Sequence, residues 1–113
     1  MIEPRLASGV MISAIKRLAE AQGDFATVLK KGDSVSGAIL LIGQIRGANP
    51  LLFERYPSFD GRAGWQVLDF KGRIDSDVLG YWQKRCTHDP DLWVLELDVA
   101  SAARLDGLLA TLN

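Results

Sequence analysis

The densest set of reactive side chains in this sequence is Cys86, His88, Asp89 and Asp91. Thiolate, imidazole and carboxylate together could hold a divalent metal, or His88 could act as a general base oriented by a carboxylate. Metal binding needs three or four ligands converging tetrahedrally, and neighbours such as His88 and Asp89 tend to point apart. A plainer explanation is favoured. Cys86 packs into the core, and His88 sits at the negative end of a helix, where a cation is stabilised. Asp89 and Asp91 make side-chain turns around Pro90.

A second set is cationic: Lys30, Lys31, Arg46, Arg55, Arg62, Lys71 and Arg73 fall on expected strands or their loops. If the sheet curls, several could surround a carboxylate or phosphate through forked guanidinium contacts. Trp65 and Tyr56 would add a stacking face. Glu54, Asp60, Asp69 and Asp75 are interleaved with them, which is the mixed-charge surface that soluble domains commonly carry. From the two sets, Arg62, Trp65, His88, Asp89 and Asp91 are the ligand-binding candidates. A third signal is apolar: Leu105, Leu108, Leu109 and Leu112 stripe one side of a short helix. Packing on the chain's own sheet is the favoured use of that stripe, and a homodimer or partner interface is the other.

No GxGxxG, GxxxxGK, HExxH, CxxC or GxSxG motif occurs, which disfavours a Rossmann oxidoreductase, P-loop NTPase, zincin or typical serine hydrolase. One cysteine allows no internal disulfide. The 113 residues suit one domain, 1–113, with room for a single core. Thirteen Lys and Arg against fourteen Asp and Glu leave a formal charge of −1, without the basic bias of a general nucleic-acid or anionic-membrane binder. The apolar run from Leu6 to Ile15 follows Arg5 and precedes Ala19-Glu20-Ala21, loosely as in a secretory signal. Glu3 and the Lys16-Arg17 pair count against that reading, so an amphipathic helix in a cytoplasmic protein is expected.

These residues need a scaffold. Met11, Ile15, Leu18 and Ala19 recur at helical spacing between a Ser8 cap and a Gly23 stop. Strands are expected over Phe25–Lys31 and Gly37–Arg46, joined as a hairpin through Gly32-Asp33-Ser34. Ala38–Ile42 is apolar on both sides, so that strand should be central and covered on both faces, and Gly43 within it marks a bulge or a close backbone approach. Strands at Leu51–Tyr56 and Trp65–Phe70 flank a loop at 57–64, the longest candidate for mobility. A helix over Asp75–Thr87, a strand over Leu92–Leu97 and a helix capped by Ser101 complete the order α-β-β-β-β-α-β-α. Short connections favour an antiparallel sheet of about five strands with helices packed on it, an α+β fold.

Three segments, EPRLASGVMISAIKRLAEAQG, FATVLKKGDSVSGAILL and HDPDLWVLELD, occur in an order and spacing that resembles the small bacterial family known as domain of unknown function 1491. The resemblance covers roughly residues 4–98. It implies a short, single-domain, soluble bacterial protein, and implies no activity, cofactor or catalytic residue.

The reading that follows is a small cytoplasmic interaction or ligand-binding module without catalytic activity. The alternative is a small enzyme or metal-dependent protein using Cys86, His88, Asp89 and Asp91. No cofactor, nucleic acid or membrane is expected. The expected partner is another protein or a second copy of the chain.

Overall fold

In a computed structural model, which describes residues 7–55, 65–68 and 75–111, the central strand is the apolar run foreseen in the sequence. The elements in chain order are α1 (Ser8–Ala21), β1 (Phe25–Lys30), β2 (Ile39–Ile45), β3 (Ala48–Arg55), β4 (Gln66–Leu68), α2 (Asp75–His88), β5 (Trp93–Val99) and α3 (Ala102–Thr111). Ile39 and Leu41 of β2 face a core shared with α1 and α3, while Leu40 and Ile42 face Tyr81, Trp82 and Cys86 of α2. The period-two alternation of a strand thus places successive apolar residues in two separate cores. The result is three layers, with helices on both faces of one five-stranded sheet.

The α+β class and element order stand as expected, and one feature of the sheet differs. The strands run in the order β1-β5-β2-β3-β4, with β5 parallel to β2 and every other pairing antiparallel. The sheet is mixed, and β1 and β2 do not form a hairpin. Burial explains the insertion. Trp93, Leu95, Leu97 and Val99 stand opposite Ile39, Leu41, Gly43 and Ile45, so β5 completes the larger core from the middle of the sheet.

Gly32-Asp33-Ser34 therefore begins a crossover rather than a tight turn. The Asp33 N–H donates to the Asp91 carbonyl at 3.0 Å, and the Trp93 indole N–H donates to the Asp33 carbonyl at 2.6 Å. A Cβ at Gly32 or Gly37 would collide with the Asp91 carbonyl, which is why glycine occupies both places. The Ser8 cap is corrected as well. Ala7 is the N-cap without a side-chain bond, and the buried Ser8 hydroxyl donates instead to the Gly37 carbonyl of this crossover.

At the other end of β2, the tight turn is Arg46-Gly47, with φ of 51° and 75°, and Ile45 is paired with Ala48. Two successive positive φ values are the mark of a type I′ hairpin turn, whose twist matches that of the strands. Gly43 meets the bulge expected of it, and what approaches it closely is a side chain rather than a second backbone. The β2–β3 register shifts beside it, and a Cβ there would lie 2.8 Å from a Leu105 methyl of α3.

Candidate functional site

The Cys86–Asp91 corner lies where α2 ends and β5 begins. Arg85 and His88 are the basic residues of the last turn of α2, and His88 is exposed. The Asp89 carboxylate accepts the Asp91 N–H at 3.1 Å, and the Asp89 carbonyl accepts the Leu92 N–H at 3.3 Å. Cys86 is half-buried against the core cluster of Leu40, Ile42, Leu52, Leu92 and Val94, and burial pushes its thiol up, away from the thiolate that attacks carbon or binds metal. Among the described residues no group of three His, Cys, Asp or Glu side chains converges for a metal ion.

The cationic residues are not brought together. Lys30 donates to the carbonyls of Pro90 and Leu92 at 2.7 and 2.8 Å, tying β1 to the start of β5. Arg46 stands at the far end of β5, beside Ala100, six residues beyond the Val94 that pairs with Lys30 and so about 20 Å away at the rise of a strand. Arg55 lies 5.9 Å from the ring centre of Trp65, a cation–π contact. The Trp65 indole N–H is buried without a partner among the described residues. Arg62, Tyr56, Lys71, Arg73 and the 57–64 loop lie outside the described residues. Of the leucine stripe, Leu105 and Leu108 are buried and Leu109 half-buried in the core shared with α1, and Leu112 lies outside the described residues.

Two features escaped the sequence reading. One is a polar cluster between the sheet and α2. Buried Glu54 accepts from the Tyr81 hydroxyl at 2.8 Å and from the Arg85 guanidinium, which also reaches Tyr81 at 2.9 Å. The spacing of Tyr81 and Arg85 on one helix face was the available signal.

The other is a cleft of about 210 Å³ at the carboxyl ends of β2 and β5, lined by Asp24, Phe25, Arg46, Asp98 and Ala100 among others. Its floor follows from how α1 stops. Gly23 takes φ of 85°, its N–H bonds to the Glu20 carbonyl, and the Asp24 N–H bonds to the Ala19 carbonyl. That pair of bonds is the Schellman ending, in which the residue at the place of Asp24 is frequently apolar. A carboxylate directly after the glycine stop was therefore the missed signal. One Asp24 oxygen accepts from Arg104 of α3 at 3.1 Å, while the other is buried with no partner among the described residues. One Asp98 oxygen accepts the Gly47 N–H at 2.9 Å. Among the described residues the Arg46 side chain reaches only the Ala100 carbonyl, at 3.4 Å.

A profile of the family described as "Protein of unknown function (DUF1491)" matches residues 6–106. The chain belongs to the DUF1491 family. A crystal structure of a DUF1491 family protein from Caulobacter crescentus CB15 is similar at 31% identity, with a TM-score of 0.75 over 86% of this chain and 91% of that one. An NMR structure of a DUF1491 family protein from the same organism matches at 31% identity and a TM-score of 0.72, covering 88% of this chain and 87% of that one. The solution structure of an A. tumefaciens protein is similar at 25% identity and a TM-score of 0.72, over 90% and 92% of the two chains. No curated protein matches this DUF1491 chain. Among its described residues no helix is long and apolar enough to cross a membrane.

Proposed function

We propose that this DUF1491 chain is a bacterial cytoplasmic interaction module that receives an extended segment of a partner protein along β1. The observation that carries the proposal is the state of that strand. Among the described residues β1 stands at the edge of the sheet with β5 as its one neighbour, and Phe25, Val28 and Leu29 are 71%, 38% and 37% exposed. An edge strand leaves a row of backbone donors and acceptors open, and apolar side chains beside it add area for a strand laid against it. The register shift between Val28 and Lys30 limits uncontrolled pairing along the edge without closing it.

The test is affinity capture of the tagged protein at native expression, followed by quantitative mass spectrometry, with Val28→Lys/Leu29→Lys as the control. Both side chains are partly exposed, so the double variant should fold with little change in melting temperature. A stoichiometric partner that the wild type retains and the variant loses supports β1 as the docking edge. Equal retention by both would place docking elsewhere. A second copy of the chain as sole partner would appear as a doubled sedimentation mass and make the module a homodimer. A lone monomer would overturn the proposal.

A further inference from the structure

The cleft at the carboxyl ends of β2 and β5 holds charges of both signs that do not neutralise one another. Arg46 forms no ion pair with Asp24 or Asp98; the Asp24 carboxylate is paired with Arg104 of α3. The Asp24 side chain is 3% exposed, and its second oxygen lacks a donor among the described residues. A buried acceptor left unsatisfied costs about 1–3 kcal/mol, more when charged. Asp24 also lies at the carbonyl end of α1, where the helix dipole disfavours negative charge. Burial, helix end and a customarily apolar position all argue against a carboxylate, and Arg104 compensates only one of its two oxygens. Breaking several local rules at one residue marks a place selected for something other than stability.

We propose that this cleft binds a small zwitterion of amino-acid type, its ammonium group on Asp24 and Asp98 and its carboxylate on Arg46. An ammonium group supplies the donor that the buried oxygen lacks, and such charge-assisted bonds strengthen where water is excluded. Phe25 offers an exposed ring to the same cation. Phe25, Arg46 and Ala100 are exposed in the wall of the cleft, and exposed side chains such as Phe25 and Arg46 exchange rotamers within nanoseconds. The guanidinium of Arg46 beside the two carboxylates repels a divalent ion. The cleft is also smaller than the roughly 300–1,000 Å³ typical of drug-sized ligands, which selects an amino acid over a nucleotide.

The experiment is calorimetric titration of the full chain with the twenty amino acids, their decarboxylated and N-acetylated counterparts, and magnesium and calcium. At least one free amino acid should bind saturably. Removing its carboxylate or acetylating its amine should weaken binding about tenfold or more, the effect of one lost charged hydrogen bond. Asp24→Asn, nearly isosteric, should do the same, and so should Arg46→Ala. Asp98→Asn and Phe25→Ala, which do not touch the Arg104 pair, keep the test decisive if Asp24→Asn fails to fold. No binding by any free amino acid, or binding that these variants leave unchanged, overturns the proposal. Binding of the amine alone, indifferent to Arg46, would also overturn it. Val28→Lys/Leu29→Lys should bind the amino acid as the wild type does, which separates this site from docking along β1.

Discussion

A carboxylate between a sheet and a helix persists only with donors around it, and Glu54 has them in Tyr81 and Arg85. Burial first, then the bond to Glu54, pushes the Tyr81 hydroxyl up, so it remains a donor well above neutral pH. Glu54→Gln should lower stability by about 1.5–3 kcal/mol, the usual range for a hydrogen bond to a charged group, as read by urea denaturation. An unchanged midpoint would show that solvent compensates Arg85 fully. Asp33 is the opposite case, a half-buried residue whose carboxylate has a local task. The N–H groups of Ser36 and Val35, in that order, followed by the Ser36 hydroxyl, hold its carboxyl below the ordinary aspartate value. A lowered folded value means that the turn is fully supported above the unfolded value and loses that support as pH falls through the folded one. Amide shifts of Val35 and Ser36 should therefore titrate with a midpoint below that of a free aspartate. A midpoint at or above it would contradict the bonds described.

At the scale of elements, most of the architecture is legible in periodicity and the pairing is not. Met11, Ile15 and Ala19 mark the inner face of α1, and the apolar run at 38–42 marks a strand covered on both sides, because burial in each case depends on residues near in sequence. The neighbour of β1 depends on a strand more than sixty positions away. Gly32-Asp33-Ser34 carries turn chemistry whether the chain doubles back or crosses over, so a hairpin and a crossover read alike until the Asp33 contacts with Asp91 and Trp93 are seen. The Cys86–Asp91 cluster misleads for a related reason: proximity in sequence around a proline turn is not convergence in space. Asp24 was hidden because its meaning comes from Arg104, eighty positions on. Contact between α3 and β2 offers a test at this scale. Gly43→Val would drive side-chain atoms into Leu105 and should cost about 1–3 kcal/mol by overpacking. Leu105→Ala in that background should then cost less than it does alone, by chemical denaturation of the four proteins of the cycle. Additive costs would mean that α3 moves away instead.

For the molecule as a whole, the two ends of the parallel pair divide the labour. The start of β5 is bound up in structure, with Lys30, Asp33, Trp93 and the Asp91 carbonyl holding the crossover in place. The far end, where β2 turns at Arg46 and β5 gives way to α3, is where charges stand apart around a cleft. Open sheets with parallel strands commonly place ligands outside the carboxyl ends of those strands, and this chain has one such pair.

The insertion of β5 between β1 and β2 also has a consequence in time. A ribosome releases β1 and β2 long before the strand that joins them, so neither can complete its ladder while residues 93–99 are still being made. Until then β1 lacks the strand it pairs with, while β2, β3 and β4 can already associate. Assembly of this sheet therefore waits for a strand threaded into its middle. The nascent chain is at its most vulnerable to misassociation in the interval before that strand arrives.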